Sequence, residues 1–445
     1  MNVKLKMMTG FLFPLAVFCL AALALWPIHA DDATFAHDKD HPQGARGGLA
    51  LQGFSDPEMD FQLLRSLGAS SGGGGTVGEI LVAASGIADG DPSTWPHTFA
   101  SLAERTENDG RKRLEKGHSV SAREALLRAS NYWRAAEYYG DFRNPETLKH
   151  GMKSRQCFLD GVCLFDWVVE DVRIPYRDSF LPGYFLAPQG EGSFPTIAIM
   201  SGYDGTAEEM FFGPGRGGLE RGWAVMLFEI PGQVGARRFD ADLVFLPDTG
   251  EAIRSVIDFT LTFPQVDPER LALYGASFGG YMVLSGALSE NRLQALIANS
   301  PIIDLYEYFA GFGLTRLEDI PEELTLENIK EVPAEYFSPE LKRTLTNFLL
   351  RFGQQSFTSF FSYLRQFTVT EHLHDITVPT LALVGGSEGS IPVEQASFFA
   401  ENTGGEVTLY VFDRDSGADA HCQMNNLPLS NAVTYDWLEE LFEKD

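Results

Sequence analysis

Leu271-Ala272-Leu273-Tyr274-Gly275-Ala276-Ser277-Phe278-Gly279-Gly280-Tyr281 is the stretch of this 445-residue chain that decides its fold. Residues 271–274 read as a short buried strand, and residues 279–288 as a helix. Between them stands G-x-S-x-G. A sharp strand-to-helix turn lifts a serine hydroxyl into the open, and small glycines let such a turn close without a side-chain clash. Ser277 is therefore the candidate nucleophile. An ordinary turn serine would not require a strand on one side and a helix on the other.

The rhythm on either side of this turn agrees with it. Trp167 to Val169 and Val172 to Pro175 read as a strand, with Gly183 to Leu186 as its hairpin partner. Thr196 to Met200, Ala224 to Phe228, Ala295 to Ala298, Thr380 to Val384 and Val407 to Phe412 are short apolar runs. Helical patterns at Gly250 to Phe263 and Asn431 to Phe442 lie among them. Alternating buried strands and helices predict an α/β fold, a mostly parallel sheet covered on both faces. Residues from about 303 to 372 interrupt it with an aromatic-rich helical insert. Upstream, Gly78 to Asp141 is helical. Asp91-Pro92 is a helix start, Ser121 to Glu124 reads as a capping box, and Leu126, Ala129, Trp133, Ala136 and Tyr139 share one apolar face. Ser70 to Gly75 reads as a flexible break. The expected organisation is a signal peptide at 1–30, a flexible tether at 31–60, a helical N-terminal domain at 61–164, and a catalytic domain at 165–445 with the insert as lid.

A serine hydroxyl needs a base within hydrogen-bond reach, and on such a turn the partners follow in the order serine, acid, histidine. His421 lies between the last strand and the closing helix, where that base belongs. His372 and His374 precede a strand, at the wrong end of the sheet. Glu388, after the strand 380–384, is the expected acid; Asp304 is the reserve, with Asp415 and Asp419 as loop acids. The oxyanion hole should take two backbone amides: Phe278, next to the nucleophile, and Tyr203 in the loop Ser201 to Gly205, with Gly202 and Asp204 beside it. Gly213-Pro-Gly215-Arg-Gly-Gly218 does not directly follow a strand and lacks the acid of a dinucleotide site. It reads as a loop, and neither a cofactor nor a metal is expected.

Several motifs together resemble a known family. Gly78-Glu-Ile-Leu, Gly90-Asp-Pro-Ser-Thr-Trp95, Gly117-His118-Ser-Val-Ser-Ala-Arg-Glu124, Arg128-Ala-Ser-Asn-Tyr132, Pro231-Gly-Gln233, Val266-Asp-Pro and His421-Cys-Gln with Asn425-Asn426 are similar to α/β-hydrolases with an N-terminal helical domain. That group includes 2,6-dihydroxypseudooxynicotine hydrolase and the fungal hydrolases that shorten polyketides in pigment synthesis. The resemblance covers nearly everything after residue 60. It implies an acid, two residues, an aliphatic and a proline after the strand Thr380 to Val384, which Glu388 to Pro392 match. An aspartate is more usual there, and Glu388 is a departure. It also implies hydrolysis of a carbon–carbon bond beside a ketone in some members, and closeness to esterases and to prolyl oligopeptidase-like peptidases.

Composition bounds the partners. With 44% hydrophobic residues the chain can build a large core, and a formal charge of -27 disfavours nucleic acid and anionic lipid. Lys4, Lys6, the uncharged run Phe11 to Trp26 and Ile28-His29-Ala30 read as an export signal with its cleavage site, so the mature protein is expected in the periplasm or outside the cell. No stable membrane insertion is expected after cleavage, although an uncleaved anchor is the other outcome. Cys157 and Cys163 are close enough in sequence to form a disulfide; buried thiols are the alternative. The expected partner is a small molecule, with a homo-oligomer left open. Tyr306, Tyr308, Phe309, Phe312, Phe357, Phe360 and Phe361 suit an apolar or aromatic substrate as well as plain packing. The expected activity is serine hydrolysis of an ester or a C–C bond beside a ketone. The alternatives are an exported peptidase and a non-catalytic binding scaffold.

Overall fold

The computed structural model describes residues 46–310, 324–334, 337 and 339–443. The signal-peptide reading, Cys19 and Phe312 fall outside them. Five helices come first: α1 (Pro57–Gly68), α2 (Val77–Ala84), α3 (Trp95–Glu115), α4 (Ser119–Tyr138) and α5 (Pro145–Val162). Their starts carry the expected chemistry. Asp56 accepts from the Met59 amide at 2.8 Å with Pro57 at the first position, and Asn144 accepts from the Glu146 amide at 3.0 Å ahead of Pro145. Their own core is built around Trp95, Phe99, Tyr132 and Trp133, with the Trp95 indole donating to the Ala135 carbonyl at 3.1 Å.

The N-terminal signature residues prove to be structural. Arg128 Nε and the Tyr132 hydroxyl both donate to Glu79, at 2.9 and 2.7 Å, and the Asn131 amide donates to the Gly74 carbonyl at 2.8 Å. Three local expectations are corrected. α4 begins at Ser119, because Gly117 takes a positive φ of 78° and closes the turn two residues earlier; Ser121 is inside the helix and caps nothing. Ser70 to Gly75 is not a loose break. Residues 69–72 form a 3-10 turn, and a Cβ on Gly72 would lie 1.9 Å from the Phe212 carbonyl oxygen, so glycine permits contact rather than slack. The tether also ends early. From Arg46 onward the chain is packed, with the Asp60 carboxylate accepting from the amides of Leu51 (2.7 Å), Gly53 (2.8 Å) and Phe54 (3.2 Å).

The sheet, eight-stranded among the described residues, comprises β1 (Trp167–Tyr176), β2 (Ser179–Pro188), β3 (Phe194–Met200), β4 (Ala224–Phe228), β5 (Val266–Ala276), β6 (Ala295–Asn299), β7 (Thr380–Gly385) and β8 (Val407–Phe412), in the order β1-β2-β4-β3-β5-β6-β7-β8. β1 and β2 form the antiparallel hairpin, β2 pairs antiparallel with β4, and the rest is parallel. The remaining helices of eight residues or more are α6 (Gly250–Thr260), α7 (Phe278–Ala287), α8 (Pro339–Arg351) and α9 (Phe357–Leu364) in the insert, α10 (Ser390–Asn402) and α11 (Leu427–Glu443). Strand side chains alternate between two layers. Ala198 and Met200 of β3 join the layer of α6, α7 and the insert; Ile197 and Ile199 join that of α5 and α11. Both faces are buried, which is why these strands read as continuous apolar runs.

The Gly213 to Gly218 segment is a kinked turn running into a helix rather than an open loop: Gly213 breaks the helical backbone within Phe211–Gly215, at φ -117° and ψ -108°, and a short helix follows at Arg216–Leu219. Cys157 and Cys163 are not joined; Cys157 and Cys422 are buried thiols and Cys163 is exposed. No helix among the described residues is long and apolar enough to cross a membrane.

Candidate active site

β5 ends at Ala276 and α7 begins at Phe278, so Ser277 is the whole turn. Its backbone takes φ 57° and ψ -125°, outside the regions most L-residues adopt. The turn closes only because its neighbours are small: a Cβ on Gly275 would lie 2.1 Å from the Gly279 carbonyl oxygen. The Ser277 hydroxyl thereby faces the loops at the carboxyl ends of β7 and β8.

His421 comes from the second of these loops. Its Nε2 is 2.8 Å from Ser277 Oγ, and its Nδ1 is hydrogen-bonded to Glu388 Oε2. The histidine loop is pinned beneath: Gln423 accepts from the Asn299 amide at 2.8 Å and from the Ser430 hydroxyl at 2.9 Å. Glu388 sits in the turn between β7 and α10. Its Oε1 accepts from the Gly385 amide at 2.8 Å, and the Ser300 hydroxyl lies 3.2 Å from each carboxylate oxygen. The three side chains named from sequence thus meet in one hydrogen-bonded row. The reserve acids are elsewhere. Asp304 caps the Glu307 amide at 2.9 Å, Asp415 is exposed, and Asp419 accepts from Ser387 at 2.7 Å and Asn425 at 2.9 Å.

His421 is buried. Burial opposes its positive charge, but the adjoining Cys422 and the Glu388 carboxylate outweigh it, and the pKa is raised to about 10. Imidazolium is the form this carboxylate favours.

On the other side of Ser277 runs the loop after β3. A Cβ on Gly202 would lie 2.6 Å from Ser277 Cβ and 2.9 Å from the Phe278 nitrogen, so only glycine lets this backbone come so close. Among the described residues, neither the Phe278 nor the Tyr203 amide has a protein acceptor. The loop is fixed by a side chain to which sequence reasoning gave no role. The buried Gln233 donates to the Ser201 carbonyl at 2.6 Å and to the Gly202 carbonyl at 3.2 Å, while its own oxygen accepts from the Ile230 amide at 2.8 Å. Its signal was present in Pro231-Gly-Gln233. Ser300 and Arg46, whose carbonyl accepts from the His421 amide at 2.9 Å, carried no such signal.

The neighbourhood is aromatic. Phe278 contacts Phe245 with ring centroids 5.0 Å apart, and Tyr203 stacks on Phe348 of α8 at 4.9 Å. Of the aromatics named from sequence, Phe357, Phe360 and Phe361 are core packing, and Tyr306 lies under the Arg365 guanidinium at 3.7 Å. Tyr308 and Phe309 lie nearer the site; Phe309 meets Phe348 at 5.9 Å. No cluster of three or more His, Cys, Asp or Glu suited to a metal occurs among the described residues.

Residues 181–346 match the model of the X-Pro dipeptidyl-peptidase (S15) family. Alpha/beta hydrolase xenA of Xenoacremonium sinensis is 35% identical over 270 residues, 58% of this chain and 62% of that protein. 20-hydroxy-prefusarin hydrolase FUS2 of Gibberella moniliformis is 34% identical, over 57% of this chain and 63% of that one. The chain therefore spans a little under two thirds of the curated relatives it matches. Among solved structures, the crystal structure of 2,6-dihydroxy-pseudo-oxynicotine hydrolase superimposes with a TM-score of 0.65 at 20% identity, over 84% of this chain and 95% of that one. AbyA5 follows at a TM-score of 0.61, 15% identity, 87% and 94%. The resemblance read from the motifs therefore holds, and the chain has the α/β-hydrolase fold with helices preceding the sheet, similar to 2,6-dihydroxy-pseudo-oxynicotine hydrolase and to fungal hydrolases.

Proposed function

We propose that this protein is a serine hydrolase cleaving an ester, or a C–C bond beside a ketone, in an apolar or aromatic substrate. The observation that carries this reading is the hydrogen-bonded row of Ser277 Oγ, His421 and Glu388, with Ser277 Oγ 2.8 Å from His421 Nε2. His421 takes the hydroxyl proton as Ser277 Oγ bonds to the substrate carbonyl carbon. The oxygen becomes an oxyanion facing the Phe278 and Tyr203 amides. Collapse breaks the bond to the leaving group, an alkoxide or a ketone-stabilised carbanion, and His421 returns its proton there. Water, deprotonated by His421, then releases the acyl group from Ser277. Glu388 holds the imidazole and stabilises its charged form throughout. Tyr203, Phe245 and Phe278 pack as an aromatic cluster around the nucleophile turn, which makes the surroundings apolar.

The match to the X-Pro dipeptidyl-peptidase family favours a second reading, amide hydrolysis after proline. The helical N-terminal domain, rather than a repeat-built sieve, argues for the small-molecule reading. A screen of aryl esters, acylated aromatics and aminoacyl-proline amides separates the two. Labelling of Ser277 by a fluorophosphonate, absent in Ser277→Ala, separates both from a binding scaffold. Export by way of residues 1–30 belongs to the same proposal; N-terminal sequencing of native protein tests it, and an intact Met1 in a membrane fraction overturns it.

A further inference from the structure

We infer that Asp204 is a positioning residue through which the N-terminal helices set the oxyanion amides, an inference that rests on Ser277 being the nucleophile. Asp204 follows Tyr203 directly, so its side chain governs the loop that carries one of the two proposed donor amides. The side chains hydrogen-bonded to its carboxylate come from the N-terminal region, while Arg351 of the insert adds a charge nearby. Arg65 of α1 reaches Oδ1 at 3.2 Å, and Arg46 reaches Oδ2 at 3.2 Å. The Tyr138 hydroxyl at the end of α4 lies 3.2 Å from Oδ2 and 2.8 Å from Glu58, its one proton shared between the two carboxylates. Burial opposes the Asp204 charge, yet the arginines hold its carboxyl far below the usual range.

The arginines are themselves fixed. Arg65 donates from Nε to Glu209 at 2.5 Å, and Arg46 from Nη2 to Glu58 at 2.9 Å. The Arg46 carbonyl also receives the His421 amide, so one short segment touches both the histidine and the oxyanion loop. The insert grips the other half of the pair. Phe348 and Arg351, one turn apart on α8, both pack on the Tyr203 ring, the Arg351 guanidinium 4.0 Å from its centroid. With Gln233 below, the loop is held from three sides. No contact of Asp204 is with Ser277, His421 or Glu388, so its effect on the chemistry runs through the backbone of Tyr203.

The test compares wild type, Asp204→Asn, Arg46→Ala and Arg46→Lys. Fluorophosphonate labelling of Ser277 is followed for both rate and final stoichiometry, and kcat and KM are measured on whichever ester the wild type turns over. A misplaced donor slows reaction at an otherwise intact serine, by about 10- to 100-fold. Asp204→Asn should label that much more slowly yet reach the wild-type stoichiometry, with kcat reduced and KM little changed. Arg46 is partly exposed, so its substitution should disturb the fold less than Asp204→Asn, and urea unfolding of each variant checks this; Arg46→Ala should show the same defect in smaller measure, and Arg46→Lys should restore part of the rate. Wild-type rates in both Asp204→Asn and Arg46→Ala overturn the inference. So does a lowered stoichiometry with an unchanged rate in the labelled fraction, which marks a purely structural role. A wild type that does not label at all overturns the reading of Ser277 itself.

Discussion

The sheet and the seam beneath the N-terminal helices are held together by different physics. Within the sheet, β3, β4, β6 and β7 bury hydrocarbon on both faces, with Ile197, Ile199, Leu227, Leu296 and Leu383 inaccessible to solvent. At the seam, charged groups are buried instead. Arg238, after β4, donates to Glu137 of α4 at 2.5 Å and to Glu208, after β3, at 3.1 Å. Arg155 of α5 donates to the Tyr184 hydroxyl at 2.7 Å, which in turn donates to Glu208 at 2.5 Å. Apolar burial is non-directional, so it holds the sheet together without dictating how a cover sits on it. Ion pairs work only in one geometry, and desolvation takes back much of their attraction. The seam thus fixes the orientation of the helices on the sheet more than it adds stability, while the sheet supplies the stability on which the loops carrying His421 and Glu388 stand.

The largest expected effect lies at the tip of the sheet. Ser277→Ala should lower turnover by about 10^4- to 10^6-fold, with the urea unfolding curve unchanged. Near wild-type turnover would break the comparison at its centre, since the sheet tips would then hold no chemistry. Glu388→Gln comes next, at about 10^4-fold in kcat, because a neutral amide keeps the shape but no longer stabilises imidazolium.

The third expectation sets the two regions side by side. Arg238→Ala leaves Glu137 and Glu208 buried without their cation and should destabilise the protein by about 3–5 kcal/mol. Leu296→Ala in β6 should destabilise it by about 2–5 kcal/mol. Rescue tells them apart. Arg238→Met combined with Glu137→Gln and Glu208→Gln removes the charges together and should recover most of the stability in urea unfolding, but lower activity by loosening the helices. If the triple variant stays as unstable as Arg238→Ala, the seam contributes stability outright and the contrast with the sheet fails.

The same contrast explains what was legible in the sequence. A buried strand announces itself in consecutive residues, and Ser277 is marked by glycines within two positions of it. His421 and Glu388 followed from chain order along the sheet. The seam has no such signature, because its partners are far apart and each looks like a solvated surface charge: Arg65 and Asp204 are separated by 139 positions, Arg46 and Asp204 by 158. The packed stretch from Arg46 to Asp60 was misread for the same reason. Polar, glycine-containing sequence suits a tether until one knows that its amides bind Asp60 and that Gly47 lies against the Ser387 backbone. Ser121 to Glu124 had the letters of a capping box, but Gly117 decided where the helix began.

The smallest expected effect is a shift in pH dependence. kcat/KM reports the ionisation of the free enzyme, and Ser277 needs the neutral imidazole. With the His421 pKa raised to about 10, the neutral fraction grows as pH rises, so kcat/KM should climb through the alkaline range. The raised value also adds stability that is fully present below the ordinary histidine pKa of 6.5 and is lost as pH rises toward 10. Glu388 is one of the groups that raise it, while burial pulls the other way. Glu388→Gln removes the carboxylate and leaves the burial, so the rising limb should move to lower pH even as the plateau falls. A shift of about one unit corresponds to about 1.4 kcal/mol of lost interaction between imidazolium and its partners. The pH profiles of wild type and variant, measured on one substrate, decide it. A wild-type limb near 6.5 that stays in place in Glu388→Gln would mean that the carboxylate orients the ring without tuning its charge, and the sheet tips would then contribute geometry alone.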